Sequence, residues 1–334
     1  MVGSFAVVFS YDSTHGGVLK EVFSFLSGQG TIKTMKGGIC PMNDPNTERR
    51  AVAEVLFAAT CWGLIGLFTR YLSAAGLSAL AIAFFRSFAA ALILAVYLGC
   101  CSRETFRIRV RDIWMFVGTG FVSIGCFNVF YFTTQMFTTL SVAAVLLYTA
   151  PFFVIFMSRI FFKEKITRQK VLAVILAFAG CLFVTGFIGG EIQLAPAALG
   201  LGLLSAVCYA LYSIFGRVAL SRYAPMTVTF YSLFIAACSM GLVFAATGAE
   251  MPPVDGSIVL GIIGFGLVST ALPYIFYTRG LAKLSPSKAS VLAFAEPMVA
   301  TLAGILVLHE PITLSACIGI ALIFSGIVVL NRRS

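Results

Sequence analysis

The ten residues WMFVGTGFVS at 114–123 return 146 positions later as LGIIGFGLVS at 260–269. The same offset carries Tyr131 to Tyr277, Ser141 to Ser287, Pro151 to Pro297, Glu164 to Glu310, Thr167 to Thr313 and Gly180 to Gly326. At an offset of 147, CWGLIGLFTR (61–70) lies over CYALYSIFGR (208–217), which pairs Cys61 with Cys208, Phe68 with Phe215 and Arg70 with Arg217. Self-similarity over this length marks a duplicated architecture.

The material of each copy is set by composition. The chain is 60% hydrophobic and 11% charged, with a mean hydropathy of +0.99, against roughly 25% charged residues in ordinary soluble domains. Runs of about 20 apolar residues span a bilayer as helices. Ten occur, at 51–72, 78–98, 113–134, 138–158, 169–187, 196–216, 225–247, 257–278, 287–308 and 312–330. The expected fold is all-α integral membrane: a first repeat at 51–187, a second at 196–330, and an extension at 1–50. Because five crossings are odd, the second unit runs through the membrane in the opposite sense. Inverted repeats are typical of secondary transporters, whose substrate binds near the midplane between halves that rock.

The net charge of +10 does not indicate nucleic acid, because Lys and Arg are sorted by side. Even-numbered gaps and both ends hold eighteen of them, including Arg103, Arg107, Arg109, Arg111, Arg217, Arg279, Lys283 and Lys288, whereas the odd-numbered gaps hold only Arg70. Glu191, Glu250, Asp255 and Glu310 lie on that other side. Positive residues stay on the cytoplasmic face, so both termini are expected there, in the cytoplasmic membrane. The nine cysteines are scattered without CxxC spacing, and His15 and His309 are the only histidines, neither in the middle of a span. No disulfide framework, metal site or cofactor is expected. Residues 1–50 are rich in Gly, Ser and polar residues, and the apolar stretch Val2–Phe9 lacks a basic region before it. They read as a tail, or as an upstream extension with translation starting at Met35 or Met42.

Three stretches resemble a known family: FFRSFAAALILAV in the second helix, TLSVAAVLLYTAPFFVIFMSRIFFKEKIT in the fourth and LSPSKASVLAFAEPMVATLAGILVLHEPIT in the ninth. They are similar to the EamA domains of the drug/metabolite transporter superfamily, over residues 51–330. The resemblance implies ten helices, cytoplasmic termini and a cavity lined mainly by helices 1, 3, 4, 6, 8 and 9. It also implies export of amino acids, other metabolites or drugs, often with proton coupling.

Glu296 is the residue that most needs a reason. It sits mid-span in the ninth helix, before Pro297, which removes a backbone donor and kinks the helix. A charged side chain at that depth is costly and usually faces a protein interior or a water path, where burial favours the neutral carboxyl form. That suits a proton or substrate-amine site, but capping of the kink or a structural pair with an arginine fits the residue as well. Its mate is Ala150 before Pro151, so the kink is duplicated and the charge is not.

Arg86 in FFRSF is the one basic residue deep in a span. The resemblance implies that helix 2 is peripheral, so Arg86 is expected to brace the fold by pairing with an acid or with carbonyls rather than to bind substrate. Glu54, near the start of helix 1, reads equally as a gate or coupling group and as a residue snorkelling to the interface. Trp62/Tyr209, Tyr148/Phe294 and Tyr131/Tyr277, with Asn128, Tyr212 and Tyr274, suit a pocket for amphipathic molecules, and helix packing uses the same residues. Gly118, Gly120, Gly264 and Gly266 suit close helix approach.

The expected function is secondary transport of a small metabolite or amphipathic drug outward, with protons and the bilayer as further partners. An exchanger or facilitator stays open, as does a homodimer. Sugar phosphates or nucleotide sugars would call for several buried cations, and only Arg86 qualifies. An enzyme is not expected, because the chain has no HExxH, no serine with a membrane histidine and no paired aspartates in a span. A channel would not need kinks matched in inverted halves.

Overall fold

The computed structural model describes residues 45–188, 195–248 and 255–332, and among these there is no strand. Among the described residues, ten helical segments follow one another. They are α1a (Pro45–Gly63) with α1b (Ile65–Ala74); α2 (Ala79–Cys101); α3, made of Ile113–Val117, Gly118–Cys126 and Phe127–Phe137; and α4a (Leu140–Leu147) with α4b (Ala150–Phe162). Then come α5 (Arg168–Val184), α6 (Pro196–Leu220) and α7 (Pro225–Ala246). The last are α8, made of Gly256–Gly266, Leu267–Ala271 and Leu272–Lys283; α9a (Pro286–Leu292) with α9b (Ala295–Val307); and α10 (Leu314–Asn331). Nine are long and apolar enough to cross a membrane. The other, α5, has 17 residues, the short end of the spanning range.

Local chemistry sets the starts. Thr139, Thr167, Ser285 and Thr313 each accept a hydrogen bond from the backbone N–H three residues on, the usual N-cap arrangement. Pro196, Pro225 and Pro286 open α6, α7 and α9a, where the missing N–H costs nothing.

The duplication extends to the irregularities. The middle parts of α3 and α8 are both wide, π-type turns, a feature often found at functional sites. α4 and α9 both break ahead of the matched prolines, at 148–149 and 293–294. Lys163 and His309, also matched, both take the left-handed conformation, at φ 54° and 55°. Exchanging the repeats turns the α1–α8 contact into α6–α3, α1–α9 into α6–α4 and α2–α8 into α7–α3, and turns α2–α7, α4–α9 and α5–α10 into themselves. In the α5–α10 seam, a Cβ on Gly180 would sit 2.6 Å from the Gly319 carbonyl oxygen, so only glycine allows the two backbones this close.

Three expectations need correction. α1 starts at Pro45, inside the stretch read as the extension. α6 and α8 run beyond 216 and 278 to Leu220 and Lys283, because Arg217, Arg279 and Lys283 find partners there and the helix need not stop at the charge. α1 breaks at Leu64 with no proline to signal it. Residues 1–44, with His15, Met35 and Met42, and also Glu191, Glu250 and Arg333, lie outside the described residues.

Candidate functional site

The break in α9 places Glu296 at the interior. Pro297 has no N–H to give, and the Glu296 N–H turns back to the Ala293 carbonyl at 2.9 Å. The Glu296 carbonyl oxygen lies against α1, where a Cβ on Gly63 would come within 2.8 Å of it. The residue is half-buried, and its carboxylate makes no hydrogen bond or ion pair among the described residues. The field of that carboxylate acts on Tyr131, Tyr148, Tyr209, Tyr274, Cys181 and Arg86, which puts all of them around it. The mate, Ala150, is 1% exposed and packs with Val154, Ala206 and Ala210. A carboxylate is therefore not what this kink requires.

Hydrogen bonding divides the aromatic residues into two kinds. The Tyr212 hydroxyl pairs with Thr278 Oγ1 at 2.8 Å, and the Tyr277 hydroxyl with Ser213 Oγ at 2.8 Å. These two are fixed to their neighbours. The hydroxyls of Tyr148, Tyr209 and Tyr274 and the Trp62 indole N–H make no hydrogen bond among the described residues, leaving them available to a solute. Trp62 sits 5.4 Å from the Tyr274 ring and 5.3 Å from the Tyr277 ring, Tyr212 sits 5.1 Å from Tyr274, and Tyr148 is 6.4 Å from Phe294, all within aromatic contact range. The cavity lined by Trp62, Ser123, Tyr209, Tyr212, Ser213, Tyr274 and Tyr277 is contracted to about 10 Å³. That is no more room than one water needs, so a solute enters only if the walls part.

Arg86 does not sit apart from this group. Its Nη2 donates to the Asn128 Oδ1 at 3.2 Å, the Asn128 Nδ2 donates to the Ile124 carbonyl at 2.7 Å, and the guanidinium lies over the Phe265 ring at 5.5 Å. The expected acid or backbone carbonyl is thus replaced by an amide and a ring face, neither recognisable from FFRSF itself. Asn128 is accordingly 1% exposed and held on both sides. Glu54 does not snorkel. It is 5% exposed and faces Arg279 at 3.1 Å and Lys283 at 3.3 Å, tying α1 to the end of α8.

The two ends of the bundle differ, residue by residue, at matched positions. At the Lys/Arg-rich end, Glu164 pairs with Lys170 and accepts from Ser287 Oγ at 2.8 Å, and its mate-side neighbour Arg217 donates to the carbonyls of Leu281 and Ala282 at 3.0 Å each. Burial raises the Glu164 carboxyl, and the Lys170 and serine hydrogen bonds outweigh it, holding the group below the usual carboxylate range. At the other end, the mates Glu310 and Arg70 meet at 3.3 Å with side chains 52% and 65% exposed. Leu284 and Pro286 are buried, whereas their mates Thr138 and Leu140 are half-buried and exposed. At these matched positions the Lys/Arg-rich end is the more buried and more tightly bonded of the two.

Paired five-helix units, matched breaks and a polar group at mid-span define a membrane protein of transporter architecture. The model of the EamA-like transporter family matches residues 50–186 and 196–332, and the chain belongs to that family. Two proteins of Archaeoglobus fulgidus, each named an uncharacterized transporter, are similar to it: one is 30% identical over 274 residues, covering 82% of this chain and 96% of the relative, the other 28% identical over 293 residues, covering 85% and 97%. The transporter YxxF of Bacillus subtilis is 24% identical over 298 residues, covering 88% and 93%. A crystal structure 20% identical superposes with a TM-score of 0.71 over 84% of this chain and 96% of its own, which is a likeness of fold.

Proposed function

We propose that this transporter is a secondary active exporter of the cytoplasmic membrane that moves a small amphipathic solute, an amino acid or a drug-like amine, by alternating access coupled to protons. Both termini lie in the cytoplasm in this reading, because the Lys/Arg-rich end is retained on that side. The observation that carries it is Glu296: a mid-span carboxylate without a partner among the described residues, beside rings whose hydroxyls are likewise unpaired there, at a position whose mate is filled by alanine.

Glu296 takes up either a proton or the amine of the solute, and the two compete for it. Loading with one then releases the other, which is the coupling an exporter needs. Trp62, Tyr148, Tyr209 and Tyr274 hold the apolar body and its polar handle. The asymmetry of the ends supports alternation. In the opposite state the repeats exchange roles, so that Glu310 and Arg70 draw together over Ser141 while Glu164 and Ser287 part. The contracted cavity fits a state between loadings.

The test is transport by the purified protein in liposomes, with a pH gradient imposed, a mixture of amino acids, metabolites and drugs offered, and uptake quantified by mass spectrometry. Gradient-driven accumulation of one class that Glu296→Gln abolishes is the expected result. Exchange of a preloaded compound without any response to the gradient would replace coupling with exchange or facilitation and leave Glu296 a binding group. Normal, pH-dependent transport by Glu296→Gln would remove it from the mechanism.

A further inference from the structure

The connection from α2 to α3, residues 102–112, is more ordered than a solvated loop has to be. Tyr231 donates to the Phe106 carbonyl at 2.8 Å, the Arg109 N–H donates to the Tyr223 hydroxyl at 3.1 Å, and that hydroxyl donates to Asp112 Oδ2 at 2.7 Å. Arg222 holds the other oxygen of Asp112, whose residue is 2% exposed. Phe106 packs edge-on against Phe230 at 5.0 Å, and Ile108 joins the cluster around Met115 and Phe116. With Phe106, Ile108 and Asp112 turned inward, Arg107, Arg109 and Arg111 are exposed, and their side chains make no hydrogen bond among the described residues. Arg103 is bound to the Gly99 carbonyl, and Glu104 is the one exposed acid of the segment.

Val110 stands 83% exposed between these arginines. It begins a row, with Trp114 at 51%, Val117 at 38% and Phe121 at 48% exposed, at helical spacings of four, seven and eleven residues. Such a row is the lipid-facing stripe of α3, and the arginines stand where it leaves the hydrocarbon. We propose that this segment is a docking strap for the phosphate headgroups of anionic phospholipid. The guanidinium groups match phosphate geometry, basic residues beside an anionic surface are drawn to it, and Val110 and Trp114 seat the adjoining chain. Because the anchors of the strap are on α7 and the turn that leads into it, the bound lipid clasps the first repeat to the second at this end.

Trp114 is itself the reporter, since the chain has only one other tryptophan, Trp62. The Trp62→Phe protein, full length, is placed in vesicles in which either phosphatidylglycerol or phosphatidylcholine carries acyl-chain bromines, at equal mole fraction. The expected result is at least about twofold stronger quenching by the brominated anionic lipid, abolished by about 0.5 M salt. Combined Arg107→Gln, Arg109→Gln and Arg111→Gln should remove that excess while quenching by brominated phosphatidylcholine persists, showing the protein still inserted. Equal quenching by the two lipids, or an excess that survives the triple substitution, would overturn the assignment. So would an excess cancelled by soluble glycerol phosphate but not by sodium chloride of the same ionic strength, which would make the strap a site for free phosphate.

Discussion

Two tyrosines on α6, three residues apart, separate binding from folding. Tyr212→Phe leaves the buried Thr278 hydroxyl without its partner, a loss of about 1 kcal/mol, so the melting temperature should fall. Tyr209→Phe removes a hydroxyl that makes no hydrogen bond among the described residues, so the melting temperature should hold while the KM for solute changes. Thermal unfolding and transport kinetics on both variants check the distinction, and the opposite pattern would place Tyr209 in the packing. The sequence brought out both residues as aromatics of a span, but not this difference. Hydroxyl pairing depends on the facing helix, here Thr278 and Ser213 across 66 and 64 residues, and no local pattern encodes it. The same is true of Arg86, whose Asn128 and Phe265 partners come from α3 and α8. Glu296, by contrast, was legible because its neighbourhood in sequence, apolar on both sides with proline next to it, is already its environment.

Among the elements, α4 and α9 show how one piece of sequence serves two ends of the molecule. Glu164 and Glu310 follow the same left-handed turn, yet one is clasped and the other is half in water. The Glu164 carboxyl is held low, so its contribution to stability is complete above the unfolded carboxylate value, near pH 4.3, and is lost as pH falls through the lower folded value. Glu164→Gln should therefore melt below the wild type at pH 7, the gap closing below about pH 4. Glu310→Gln should melt within a degree or so of the wild type at either pH, since an exposed pair contributes little. A gap for Glu164→Gln that did not change with pH would mean the residue acts through packing alone. The paired prolines made the breaks in α4 and α9 readable. The break at Leu64 in α1 was not, because it follows from Gly63 meeting the backbone of α9, and the wide turns of α3 and α8 look in sequence like any glycine-bearing apolar run.

For the whole molecule, the unequal burial of matched positions at the two ends is a matter of access. In a background where the exposed Cys100, Cys101, Cys238 and Cys317 are serine, Leu140→Cys should react quickly with a water-soluble maleimide and Pro286→Cys slowly. During turnover the two rates should converge, whereas rates fixed at their starting ratio would argue against exchange of roles between the repeats. The seam between α5 and α10 bears on something earlier than transport. Gly180 of α5 meets the Gly319 carbonyl, and Gly326 of α10 meets the Ala173 carbonyl, so α5 finds its backbone partner only in α10, made after the nine spans before it. The first five helices can be inserted as they are made, but their closest partner does not yet exist, so the two halves mature together. A chain cut short before residue 314 would be left with its glycine face bare in the bilayer, and loss of the last eighteen helical residues would unmake the first repeat as surely as the second.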